Sequence, residues 1–191
     1  VFLADVKGDL AGLAYPGDRS VVQNQLVKAE VSDWKEASYP VTFWDVYGKR
    51  GHSLRATCSE MGPLLLSRIL QLNDTQSDIL TLIFRIADEE GLLLLDLKDL
   101  LAMIQHVGEH AKELSVRYGH IASTSLGAIQ RGIIALEEQG GDSFFGEPLL
   151  RIPDLMRISN DGRGVINVLA AETLLRSPTI YSTMLLWLLS E

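Results

Sequence analysis

Three short stretches of this 191-residue sequence combine residue types that can do chemistry. His106-Val107-Gly108-Glu109-His110 has the H-x-x-E-H spacing, which on a helix sets two imidazoles one turn apart as zinc ligands with a carboxylate between them as general base. Gly108 weakens the helix that must present them, and the third ligand has to come from a distant acid such as Glu172. The plainer reading is two solvent-side histidines where one helix ends and another begins; the sharper one is a zinc peptidase. His52 and His120 have no evident partners in sequence.

Leu92-Leu93-Leu94-Leu95-Asp96 has the form of a Walker B strand, whose aspartate organises Mg²⁺ beside a nucleotide. Asp96 lies three residues before Asp99 and directly before Leu97, Leu100, Leu101 and Ile104, so helix capping accounts for both acids and the Walker B reading is rejected. No Gly-Lys-Ser or Gly-Lys-Thr occurs, so these 191 residues contain no Walker A loop to cradle phosphates and are not expected to hold ATP alone. Cys58 is a lone cysteine, read as a small apolar residue in a reducing cytoplasm rather than a nucleophile.

Asp5-Val6-Lys7-Gly8-Asp9 differs from these, because it follows an apolar run, Val1 to Ala4, with the texture of a strand buried on both faces of a parallel sheet. Ligands of open α/β sheets bind beyond the carboxyl ends of the strands, and here two acids, a base and a glycine stand at such an end. An ordinary strand-to-helix turn with Asp9 as cap explains the same residues. The residues alone leave both readings open.

The elements that must position these groups fall into an α/β pattern. Residues 17–31 suit a polar helix, Tyr39-Pro40 breaks it, and Val41 to Val46 is rich in β-branched and aromatic residues, as a second strand requires. Gly48-Lys49-Arg50-Gly51 reads as a turn into a third extended piece, His52 to Thr57. Helices follow. Pro63 suits a first turn ahead of Leu65, Ile69 and Leu72; Asn73 and Gln76 form a capping box before the stripe Ile79, Leu82, Ile83, Ile86; and Ala122, Leu126, Ile129, Ile133 and Leu136 step by four and three. A short helical piece is expected near Asp154 to Ile158. The turn Asn160 to Gly164 then leads into a strand, Val165 to Leu169, and Ser177-Pro178 opens a closing helix carrying Ile180, Tyr181, Met184, Leu185 and Leu188. The expected organisation is an α/β core in residues 1–58 and 159–191, interrupted by a mainly helical insertion over 59–158.

Composition bounds the function. At 47% hydrophobic and 22% charged the chain is a folded globular protein, and its longest apolar runs fall far short of the roughly 20 residues that span a bilayer. The net charge is −8, with seven acids against seven bases in residues 1–58 and ten against five in 59–119, so no segment supplies the basic stripe that duplex DNA demands. The chain begins on Val1 without a methionine and ends at Glu191 on an uncapped amphipathic run, so both ends read as interior points of a longer protein.

Residue by residue, Ala4-Asp5-Val6-Lys7-Gly8-Asp9-Leu10, Val41-Thr42-Phe43-Trp44-Asp45, Gly62 to Arg68, Gly91 to Leu101, Ile129-Gln130-Arg131, Gly140 to Pro148 and Gly162 to Ala171 resemble the HerA-like P-loop ATPases, in particular the YjgR-type proteins of the HerA and FtsK superfamily. The similarity runs nearly end to end. It implies a parallel P-loop sheet and a cytoplasmic ATPase related to ring-shaped DNA motors, with the phosphate loop before Val1 and the true Walker B strand and arginine finger after Glu191. By that resemblance Asp5 and Asp9 are candidates to orient Mg²⁺ or water, and Lys7 and Gly8 lie near the nucleotide phosphates; ATP and Mg²⁺ are the implied cofactors, and copies of itself and DNA the implied partners. No metal site is expected in these residues themselves. A different class competes: a non-enzymatic module whose acidic helices dock a partner or a neighbouring subunit.

Overall fold

The computed structural model describes residues 1–190. Strands β1 (Phe2–Asp5), β2 (Val41–Asp45), β3 (His52–Ser53) and β4 (Ile166–Ala170) form one sheet in the order β1-β4-β2-β3, with every neighbouring pair parallel. An α/β fold is therefore present. The last strand in sequence lies between the first two, with Asp5 opposite Ala170 and Trp44 opposite Leu169, so β1, β4 and β2 end nearly level. Asn167 on β4 is buried, and its amide is satisfied on both sides: Oδ1 accepts from Trp44 Nε1 at 2.9 Å and Nδ2 donates to the Leu155 carbonyl at 2.7 Å.

β1 differs from its expected setting. It lies at the edge of the sheet with β4 as its one neighbour among the described residues, leaving Phe2 and Leu3 half-buried and Ala4 exposed instead of covered on both faces. The reason is local: α1 (Arg19–Lys28), capped by Asp18 at the Ser20 N–H, buries none of its residues and so covers no sheet face. The third extended piece is also shorter than expected, since only His52 and Ser53 pair with β2 before Ala56 bridges to Phe145.

Seven helices occupy the long middle of the chain: α2 (Cys58–Ile69), α3 (Asp74–Glu89), α4 (Leu97–Glu109), α5 (Ala111–Tyr118), α6 (Ser123–Leu136) and the short α7 (Asp142–Phe144) and α8 (Ile152–Leu155). α2 is interrupted at Gly62, whose φ of 70° only glycine adopts without penalty, and Pro63 restarts the helix at a position that needs no N–H donor. Asn73 and Gln76 form the expected capping box on α3. α6 runs on through a π turn, Glu137–Gly141, and α9 (Pro178–Ser190) closes the described chain against α2. One buried apolar cluster runs from Trp44 and Val46 through Leu54, Phe144 and Phe145 to the inner faces of α3, α4 and α6 and to Trp187 on α9. Phe144 is its joint, edge-on to Phe145 at 5.2 Å and to Trp187 at 6.0 Å. Among the described residues no helix is long and apolar enough to cross a membrane.

Candidate functional site at the carboxyl edge of the sheet

Parallel strands deliver their following loops to one edge, and the loops after β1, β2 and β4 meet there. The first is shaped by Asp5, which is 6% exposed. Its Oδ1 accepts from the N–H groups of Gly8 at 2.7 Å and Asp9 at 3.2 Å, and its Oδ2 from that of Leu10 at 3.1 Å. Gly8 turns with φ at 75° and leads into a 3-10 turn, Leu10–Ala14. Asp9 stands at the cap position but makes no side-chain cap bond; its own N–H and that of Leu10 are held by Asp5. Both carboxylate oxygens of Asp5 thus face backbone donors, whereas the side chains of Lys7 and Asp9 are exposed and, among the described residues, neither hydrogen-bonded nor ion-paired.

The loop after β2 repeats this device, which the sequence reading passed over. Asp45, 4% exposed, accepts from the N–H groups of Tyr47, Lys49 and Arg50, each at 2.9 Å, and Gly48 takes φ of 63° three residues after its aspartate, as Gly8 does. The shared signal is Asp-x-x-Gly at a strand end: Asp5-Val6-Lys7-Gly8 and Asp45-Val46-Tyr47-Gly48. A buried carboxylate that gathers three N–H groups replaces the water that would otherwise accept from them. Gly51 then packs so closely on β2 that a Cβ there would lie 2.5 Å from the Phe43 carbonyl oxygen.

The third loop carries Glu172, two residues past β4. Its carboxylate pairs with the Arg50 guanidinium, and a Cβ placed on Gly8 would meet its Oε2 at 3.6 Å, so Glu172 joins the two aspartate-held turns. The pairing raises the Arg50 pKa above its ordinary value, first through the hydrogen bond to Glu172. The result is an exposed edge with three cations, Lys7, Lys49 and Arg50, and two carboxylates, Asp9 and Glu172, on backbone fixed by Asp5 and Asp45.

The other sequence candidates lie elsewhere. His106 and His110 stand at the end of α4 with ring centroids 4.4 Å apart, but His110 Nδ1 lies 2.9 Å from the His106 carbonyl, Glu109 accepts from Gln105, and His106 faces Glu90 at 3.8 Å. The adjoining cleft of about 410 Å³ is walled by Leu92, Leu93, Leu94 and Met103 and presents His106 without Glu109 or His110. Glu172 is engaged with Arg50, and no group of three or more His, Cys, Asp or Glu is placed to hold a metal ion among the described residues. Leu92 to Leu95 form no strand: Asp96 caps α4 through the Lys98 and Asp99 N–H groups while Asp99 reaches back to Leu95 and Asp96. Cys58 is fully buried, and its thiol pKa is pushed well above the ordinary range by burial and then by the charges of Asp96 and Asp99, so it is no nucleophile.

A parallel sheet whose strand-end loops gather charged residues at one edge defines an α/β protein, and that edge is where ligands of open α/β sheets generally bind. The chain belongs to the helicase HerA-like C-terminal family, whose model matches residues 1–191. Comparison with curated proteins and with solved structures finds no match.

Proposed function

We propose that this chain is a segment of a HerA-like ATPase in which the edge formed by the loops after β1, β2 and β4 faces the phosphates of a bound nucleotide. The observation that carries the reading is the convergence of three loops, two of them anchored by buried aspartates, on one exposed cluster of cations in a chain of this family. Lys7 and Lys49 supply charge to phosphate oxygens, as point charges on flexible stems. Asp9, whose carboxylate is free, is the acid suited to orient Mg²⁺ or water; Asp5 acts one step back, by fixing the turn that carries Lys7, Gly8 and Asp9. ATP and Mg²⁺ would be completed by a phosphate loop and a Walker B acid that these residues do not contain. Coupling of hydrolysis to movement on DNA, and assembly into a ring of identical copies, are extended to this chain from the family.

The test is ATP hydrolysis by a longer protein that contains this segment and a phosphate loop. Substitution of the phosphate-loop lysine is expected to abolish turnover, and Asp9→Asn to lower it at least about tenfold, in the range typical of misplaced metal or water ligands. Turnover unaffected by the lysine substitution would refute the ATPase reading.

A further inference from the structure

Glu172 occupies the point where the three loops meet, between the Arg50 guanidinium and the backbone at Gly8. A carboxylate held there is an anion in an anion's place. Its ion-pair partner is Arg50, the neighbouring loops also carry Lys49 and Lys7, and no basic residue stands beside it in its own loop, where Ala171 and Thr173 are its neighbours. The backbone of Arg50 is fixed, because its N–H donates to the buried Asp45, while its side chain is 55% exposed and free to turn away from Glu172, itself 43% exposed. An ion pair so open to solvent contributes little net stability and yields readily to a competing ligand of higher charge. Guanidinium groups pair bidentately with phosphate as they do with carboxylate, and a phosphate group brings the higher charge.

We propose that Glu172 is a built-in stand-in for a phosphate group: Arg50 is a phosphate-binding residue latched by Glu172, and an incoming phosphoryl group displaces the carboxylate and takes over the guanidinium. The identity of that phosphate as a nucleotide's rests on the ATPase reading above; the latch itself does not. Removal of the latch therefore strengthens phosphate binding, and removal of Arg50 weakens it. An ion pair with no part in anion binding predicts no change in either, and a change of local charge alone moves sulfate and phosphate binding alike.

The experiment is a ¹H–¹⁵N NMR titration of this chain with inorganic pyrophosphate at low ionic strength, with sulfate at equal ionic strength as control. Shifts are expected at Gly8, Lys49 and Arg50, including the Arg50 Nε–H, and smaller ones with sulfate. Since a competing internal partner reduces apparent affinity in proportion to the fraction of molecules it blocks, Glu172→Gln is expected to tighten binding at least about threefold. Arg50→Gln is expected to weaken it by a similar factor, and the double variant to behave as Arg50→Gln. Retained dispersion of the remaining amides shows that each variant is folded, and Arg50→Lys serves as a second, milder variant with intermediate affinity. Equal or weaker binding in Glu172→Gln, or shifts that sulfate reproduces, would overturn the latch. A chain that behaves as expected here while the longer protein fails to hydrolyse ATP would overturn the ATPase reading and leave the latch standing.

Discussion

Asp5→Asn separates the role of this aspartate in the turn from a direct role at a metal. The asparagine oxygen can stay at the position of Oδ1 and keep the bonds from Gly8 and Asp9, but its amide nitrogen then stands where Oδ2 accepted from Leu10 at 3.1 Å. One charge-assisted bond is lost, the remaining two become neutral, and a donor is set against a donor. Hydrogen bonds to charged groups contribute about 1.5–3 kcal/mol each, so the expected loss is about 2–3 kcal/mol, the Leu10 N–H recovering some of it from water. In a domain of this size that corresponds to a fall in Tm of about 4–12 °C. Asp45→Asn provides an internal standard, since its oxygen can keep Lys49 and Arg50 and lose only Tyr47; it is expected to cost the same within about 1 kcal/mol. The two turns share no hydrogen-bond partner, so the losses are expected to add in the double variant. Urea denaturation followed by tryptophan fluorescence measures all three, with an unchanged m-value required for comparison. If Asp5→Asn left stability within about 0.5 kcal/mol of the original while Asp45→Asn lost 2, the assignment of Asp5 to the turn would be refuted.

Other expectations follow from the same geometry. Gly51→Ala places a Cβ 2.5 Å from the Phe43 carbonyl oxygen and 2.8 Å from the Trp44 N, both immobile backbone, and is expected to cost at least about 3 kcal/mol or to prevent folding; a melting temperature equal to the original would show that the loop relaxes freely. Native Cys58 is expected to resist thiol reagents at pH 8 and to react at once in denaturant, and rapid labelling of the folded chain would contradict its burial. Because the folded thiol is harder to ionise than the unfolded one, its contribution to stability is complete below its ordinary pKa of 9.0 and is lost as pH rises above that value; Cys58→Ala is expected to remove that part of the alkaline decline in a pH series of urea midpoints.

How much of this was legible in the chain depends on how far apart the partners lie. Asn73 with Gln76, and Asp96 with Asp99, are capping boxes because a helix start needs acceptors for N–H groups within three residues, and nothing distant alters that need. The same locality exposed the Walker B and H-x-x-E-H patterns as helix ends. The β1 turn was recognised as a candidate from its residue types, but the fact that Asp5 holds the turn while Asp9 stays free was not, since either aspartate satisfies the local pattern. The matching turn at Asp45 carried the same Asp-x-x-Gly signal and was missed because Gly48 to Gly51 read simply as a link between strands.

What the chain settled by itself, therefore, is its α/β class, its principal helix starts and its family, all carried by short-range periodicity and by residue-for-residue resemblance. The order β1-β4-β2-β3, the edge position of β1 and the meeting of Arg50 with Glu172, 122 residues apart, belong to the tertiary structure alone. Hydrophobic pattern says which face of a strand is buried and is silent about which strand lies beside it; only when β4 inserts between β1 and β2 do their loops become neighbours and their charges a site.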